Sequence, residues 1–332
     1  MSRTLRIGLS IVLSLVFLGF AVRNVDWAEA GRALAGARYV FIVPIVFVTF
    51  WTLYIRAQRW RLFLRPVGVP PMRSLVAGVN IGFMANMVLP LRIGEVIRPV
   101  LVSRRERMPL SPLLATIVLE RIFDLFTVVF LFGVSSLLVP VSDQARSWGY
   151  RLTAIAVMMG GGVALVRWQE QLVLRVIHVL LRALPEKPRE AIEHFIEGFI
   201  TALEVLDRPT TFLLAFAWSL YLWIVIALAW LLGIWAFALP VPNIVAAVTV
   251  TVMVAIAVAA PSAPGYVGAL QLGCVLALSI FGVKDSEAIA YSFAEHVAQF
   301  VGIVLAGLYS LWSEGMSFKQ LEAVSEEQSA PA

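Results

Sequence analysis

Six long stretches of this chain are dominated by apolar side chains. The first, residues 7–22, reads IGLSIVLSLVFLGFAV, and the others fall at about 40–64, 110–139, 150–167, 210–238 and 287–312. An α-helix rises about 1.5 Å per residue, so about 20 such residues cross the roughly 30 Å of hydrocarbon in a bilayer. Only 14% of the 332 residues are charged, whereas a soluble domain carries about a quarter. The chain lacks the polar surface to cover these helices in water. The fold class is therefore an all-α polytopic membrane protein with about six transmembrane helices and no sizeable soluble module. Arg3 and Arg6 ahead of the first stretch would also suit a signal peptide. No small-residue cleavage site precedes Arg23, so the stretch reads as a retained helix.

Two further apolar stretches do not fit a plain crossing. Residues 74–100 hold Gly78, Asn80, Gly82, Asn86, Pro90, Arg92, Gly94, Glu95 and Arg98, and residues 243–283 are interrupted by Pro261-Ser-Ala-Pro264-Gly-Tyr-Val-Gly268. Pro and Gly break helices, and unpaired backbone at membrane depth survives only inside protein or along a cavity. Each stretch reads as two half-helices forming a re-entrant hairpin.

Basic residues give the orientation. Arg3, Arg6, the 56–73 run, Arg104, Arg105, Arg107, the 167–208 segment and Lys319 place 17 Lys and Arg on one side, against 6 on the other. The positive-inside bias puts both termini in the cytoplasm of a cell membrane. The first hairpin then enters from the cytoplasm and the second from outside. The order span, span, hairpin, span repeats upside down as an inverted repeat, with 1–145 as the first copy and 146–313 as the second. Glu120-Arg121-x-x-Asp124 has a counterpart in Glu295-His296-x-x-Gln299, and Pro90-x-x-x-Gly94 in Pro264-x-x-x-Gly268, at nearly equal offsets. Residues 186–207 suit either a cytoplasmic interfacial helix or a linker, and 314–332 a disordered cytoplasmic tail.

Charges inside spans mark the candidate site. A charge at a helix centre costs about 2.5–3.5 kcal/mol on insertion scales, yet Glu120, Arg121 and Asp124 crowd about one turn of the third span. They form either an ion-pair staple between helices or the polar wall of a substrate path. Arg92 stands beside Pro90 and Gly94, where an arginine and free helix-start N–H groups suit a phosphate. Glu95 could pair with Arg92 or Arg121, or meet a cationic headgroup. Arg98 fits the same site or an interfacial anchor. Asn86, Arg92, Glu95, Arg98, Glu120, Arg121 and Asp124 are expected to share one charged chamber opening to the cytoplasm. A second, mostly neutral chamber is expected from Ser262, Tyr266, Gln271, Glu295, His296 and Gln299, although Tyr266 also suits an interfacial anchor.

The stretches Asn86…Pro90-Leu-Arg92-Ile-Gly94-Glu95…Arg98, Glu120-Arg121-Ile-Phe-Asp124 and Pro261-Ser-Ala-Pro-Gly265 together resemble the flippase-like family named for the transmembrane region of lysylphosphatidylglycerol synthase. The resemblance spans about 10–312 and implies lipid translocation between leaflets. Family members also occur fused to an aminoacyl-transferase or glycosyltransferase module. The present sequence stops at 332 behind a short acidic tail, so lipid synthesis is not carried over.

The expected function is a flippase or scramblase moving a polar, phosphate-bearing lipid headgroup, with membrane lipids as partners. No G-x-x-x-x-G-K-[ST] is present, so movement would be passive or coupled to an ion gradient through Asp124 or Glu295. A single cysteine, Cys274, excludes an intramolecular disulfide and a Cys-based metal cluster. His178, His194 and His296 are the only histidines, and no H-E-x-x-H occurs. No cofactor, metal or catalytic residue is expected, and an intramembrane enzyme built on Ser262 and His296 is a distant alternative. A membrane partner of a lipid-synthesising enzyme is the other alternative. The net charge of +5 follows from topology and does not call for nucleic acid; a homo-oligomer is left open.

Overall fold

Apolar length and helix breakers set where the elements begin and end. The computed structural model describes residues 3–89, 92–138, 143–169, 171, 174–175, 177, 181, 185–207, 209–259 and 263–317, and all regular structure among them is helical. The helices are α1 (Arg3–Val22), α2 (Trp27–Gly36), α3 (Ile42–Phe63), α4 (Met72–Val88), α5 (Gly94–Glu106), α6 (Leu110–Leu138), α7 (Asp143–Trp168), α8 (Glu186–Leu203), α9 (Pro209–Ala236), α10 (Asn243–Ala259), α11 (Ala269–Ser279) and α12 (Asp285–Ser313).

Among the described residues, three segments are by themselves long and apolar enough to cross a bilayer: Tyr39–Phe63, Pro209–Ala236 and Asp285–Ser313. The pair α1–α2, bent by 85°, makes a fourth if counted as one span. Six crossings are reached only when α6 and α7, 29 and 26 residues long, are counted by length. The outer surface is that of a protein solvated by lipid: Val43 is 73% exposed, Phe47 69% and Trp312 77%, an arrangement that water would penalise residue by residue.

One element is absent from the hydropathy reading. Residues 27–36 stand there as part of an external loop, but they form α2, capped by Asp26, whose carboxylate accepts from the Ala28 N–H (2.8 Å) and the Glu29 N–H (3.1 Å). An N-cap Asp ahead of an alanine-rich run was the available signal. The elbow docks on the start of α12 through Asn24 to Asp285 and Lys284 to Glu29. The segment expected at 186–207 is helical as α8, and it packs along α6, with Gly198 against the Ser111–Pro112 backbone.

Neither interrupted stretch is a continuous helix. Helices α4 and α5 fold against each other, as do α10 and α11. The first pair touches backbone to backbone: a Cβ on Gly82 would lie 2.8 Å from the Gly94 carbonyl oxygen, a distance no real Cβ tolerates. In the second, a Cβ on Gly273 would lie 2.8 Å from the Val254 Cα. The two breaks meet in the interior. The Arg92 guanidinium lies 5.2 Å over the Tyr266 ring, and Gly265 faces the Met87 carbonyl. Pro90, Pro261 and Ser262 lie outside the described residues, as do His178 and, of the tail expected at 314–332, residues 318–332. Arg92 (φ 53°) and Tyr266 (φ 62°) are both left-handed, a conformation that costs about 1–2 kcal/mol in a non-glycine residue. Such a cost persists only where surrounding packing enforces it.

Candidate functional site

The site begins with helix α6. Glu120 and Asp124 are one turn apart on its inner face, 1% and 6% exposed. Charges so deeply buried need partners of opposite sign, because desolvation costs several kcal/mol per ion. Helices α5 and α3 supply them, and α9 adds neutral hydrogen-bonding groups. From α5, Arg98 makes a bidentate pair with Glu120, Nη1 to Oε2 at 2.8 Å and Nη2 to Oε1 at 3.2 Å. From α3, Arg59 donates to Asp124 Oδ1 at 2.6 Å and to the Ser219 hydroxyl of α9 at 3.1 Å, with its Nε 3.9 Å from Glu120. From α9, the Trp223 indole N–H donates to Asp124 Oδ1 at 3.2 Å. Arg121, half-buried, closes the set with Nη1 3.3 Å from Asp124 Oδ2 and Nε 3.9 Å from Glu95 Oε2. Aromatic faces hold two of the guanidinium planes: Arg98 lies 3.8 Å over Trp60 and Arg56 lies 4.5 Å over Phe83.

A cavity of about 390 Å³ opens beside this network, in the size range of a small-ligand site. Its polar wall includes Asn86, Arg92, Glu95, Arg98, Arg121 and Asp124; Tyr266, His296 and Gln299 face the same space. The remaining wall is apolar, with Val128, Ile226, Trp230 and Val254 among its residues. Asn86 also shapes the break: its Oδ1 accepts the Gly94 N–H at 2.9 Å, satisfying one of the donors that a helix start leaves open.

Two chambers were expected from the sequence, and three residues assigned to the second line the cavity of the first. Tyr266, His296 and Gln299 line the same cavity as the charged residues because the two breaks meet, which no count along the chain could reveal. Three candidates stand behind the wall. Glu120 is consumed by Arg98 and Arg59. Gln271, fully buried, accepts from the Gly268 N–H at 2.8 Å and lies 3.0 Å from His296 Nδ1, so its amide orients the ring. Glu295, 1% exposed, receives the Gln299 amide at 3.2 Å and faces Gly233 of α9. Ser262 lies outside the described residues. Tyr266 is held against Arg92 and the cavity, so an anchor at the membrane surface is not its place.

The sequence reading missed Arg56, Arg59 and Trp223. Both arginines stand in the basic run 56–73, where they were counted as cytoplasmic. Arg59 is instead fully buried and Arg56 faces the cavity. Their three-residue spacing on a predicted span, next to Trp60, was the signal that set them apart from Arg61 and Arg65.

The charged wall draws on two of the three stretches that carry the family resemblance, Asn86–Arg98 and Glu120–Asp124. A family described as the lysylphosphatidylglycerol synthase TM region matches residues 7–307. The chain belongs to this family. The match takes in every residue named at the cavity, and the protein is a multi-pass membrane protein of that class. A relative named glycosyltransferase AglD, from Haloferax volcanii, is 24% identical over 360 residues, covering 95% of this chain and 55% of the relative. The chain thus spans about half the length of that curated relative. No solved structure matches.

Proposed function

We propose that this protein moves a lipid with a polar, phosphate-bearing headgroup between the two leaflets of a cell membrane, without changing the lipid covalently. One observation carries the reading: a cavity lined by arginines and carboxylates sits inside a protein whose exterior is apolar. A headgroup can shed its water there against fixed charges while its tails remain in lipid. Ionisable groups buried in a membrane protein and facing a cavity are the usual markers of a substrate path.

The architecture we propose has six crossings and two re-entrant hairpins, arranged as an inverted repeat with both termini cytoplasmic. Reciprocal packing supports it. The α4–α5 pair packs through α4 on α12, and the α10–α11 pair packs through α10 on α6; α3 packs on α12 and α9 on α6; α3 and α9 pack on each other. Exchanging the halves reproduces the pattern, and interrupted helices meeting at a shared site are the arrangement of many transporters. Withdrawing Arg56 and Arg59 from the cytoplasmic count leaves 15 basic residues against 6, so the orientation argument survives their burial.

The alignment to a relative named as a glycosyltransferase leaves 45% of that relative uncovered, which favours one second reading: a membrane part that serves a lipid-modifying enzyme without moving lipid itself. Purified protein in liposomes separates the two. Under the leading reading, fluorescent headgroup-labelled lipid in the inner leaflet becomes accessible to an external quencher faster than in protein-free vesicles. Equal rates with and without protein, across anionic and zwitterionic lipids, would sink it.

A further inference from the structure

The sequence offers two carboxylates for coupling to an ion gradient, Asp124 and Glu295, and the fold treats them differently. Asp124 accepts from Arg59 at 2.6 Å and from the Trp223 indole at 3.2 Å, with Arg121 3.3 Å from its other oxygen; a proton there would displace two guanidinium contacts. Glu295 of α12, 1% exposed, makes no ion pair among the described residues. Its Oε2 accepts the Gln299 amide at 3.2 Å. Oε1 lies against the Gly233 backbone of α9, where a Cβ would overlap it, with no well-formed hydrogen bond. One neutral donor does not repay the desolvation of a carboxylate, and taking up a proton removes that cost.

The groups packed around Glu295 leave it so. Its titratable neighbours are the Tyr291 phenol, one turn earlier on α12 and donating to the Trp230 carbonyl at 2.9 Å, the buried Cys274 thiol of α11, and the His296 ring, turned to Gln271. Helices α9 and α11 carry no Asp, Glu, Lys or Arg, and α1 and α4 carry only Arg3, Arg6 and Arg73, in their first turns. Helix α3 meets Glu295 at Ile42 and Ile45, about three turns before Arg56. Glu29 and Arg32 of α2 gather with Lys284 and Glu287 at the α12 start, about two turns or more away. Arg38 is the cation that faces Glu295, across a small pocket and not in ion-pair contact.

Access exists on both sides. On one, Glu295 lines that pocket of about 10 Å³, room for about one water, together with the exposed Arg38 and Tyr39, at the outer face in the proposed orientation. On the other, the Gln299 amide that holds Glu295 also lines the headgroup cavity. We infer that Glu295 is a proton-binding site, loaded from the outer pocket and coupled through Gln299 to headgroup occupancy, so that an anionic headgroup moves together with a proton. The coupling rests on the proposed transport reading; the proton site does not. Its chemistry is a single protonation: the carboxylate takes one H⁺ from water to become a carboxylic acid and returns it to water, with no change of oxidation state. The sign of the coupling follows from charge. A negative headgroup in the cavity repels the ionised carboxylate and favours the neutral acid, and by reciprocity the neutral acid favours the headgroup.

Two measurements on the full-length protein test this. In non-ionic micelles, infrared titration from about pH 10 to about pH 6 should show a protonated-carboxyl band growing in that shifts in heavy water and is missing from Glu295→Gln. Its absence from wild type, or its persistence in the variant, overturns the proton site. The second measurement uses phosphatidylcholine vesicles with a trace of acyl-chain-labelled phosphatidylglycerol. A gradient of about one pH unit should drive the labelled lipid toward the alkaline side and change its leaflet ratio at least about threefold beyond protein-free vesicles, against a ceiling of about tenfold for one proton per lipid. Glu295→Gln should lose this response, and Glu295→Asp, which keeps an acid, should retain part of it. If Glu295→Gln does not fold, Glu295→Asp replaces it in both assays, shifting the band and weakening the response. Translocation that ignores the gradient overturns the coupling and leaves transport standing. No protein-dependent translocation overturns the transport reading and the coupling with it, and the infrared band then decides the proton site alone.

Discussion

Replacing Arg59 with methionine probes whether the buried network holds the helices together. The side chain is fully buried and joins α3 to α6 and α9 through Asp124, Ser219 and Glu120. Breaking a buried pair from one side costs about 3–5 kcal/mol, because it strands a charge rather than merely deleting an attraction. Partial rescue is built in. Glu120 keeps its bidentate bond to Arg98, and Asp124 keeps the Trp223 N–H and Arg121. Arg121 is 41% exposed on its side chain, so solvent screens its contribution. The expected loss is therefore at the lower end, about 3 kcal/mol. Equilibrium unfolding in mixed micelles, followed by tryptophan fluorescence, reads it. The double variant Arg59→Met, Asp124→Leu should recover at least half of the loss, since an apolar pair of similar volume often replaces a buried ion pair without penalty. A single variant within about 0.5 kcal/mol of wild type, or a double variant showing the simple sum of the two single losses, would refute the idea that these charges depend on one another.

Arg92→Ala should reduce headgroup translocation in liposomes by at least about tenfold; normal translocation by a folded variant removes Arg92 from the headgroup site. Gly94→Ala should destabilise by about 3 kcal/mol or more, because its Cβ would meet the Gly82 backbone and the Asn86 amide, and retention of wild-type stability would show that α4 and α5 can separate. Asn86→Ala, which strands the Gly94 N–H, should cost about 1–2 kcal/mol in the same unfolding assay. For topology, Lys284→Cys in a Cys274→Ala background should react with an impermeant maleimide from outside intact cells, and a cysteine at position 2 should not; the reverse pattern inverts the orientation.

Much of the helical framework can be read along the chain because hydropathy and helix breakers act locally. The limits of α3, α6, α9 and α12 follow apolar length, and the breaks near 90 and 264 follow Pro and Gly, since each residue there decides its own φ or its own transfer energy. The charged residues of α5 and α6 are legible as a site for the same reason: placing them in lipid is costly whatever surrounds them. What the sequence could not decide is which charges meet. Arg59 finds Asp124 across 65 positions, and Arg61, two residues along the same helix, belongs to the basic end of the span. Composition treats them alike, and only the rotation of α3 against α6 and α9 separates an interior partner from an interfacial anchor. The same holds for the shared cavity. The interruptions between α4 and α5 and between α10 and α11 each have a local cause in the sequence, but that Arg92 comes to lie over Tyr266 depends on how two distant helix pairs pack, a matter of side-chain shape and burial across the whole bundle.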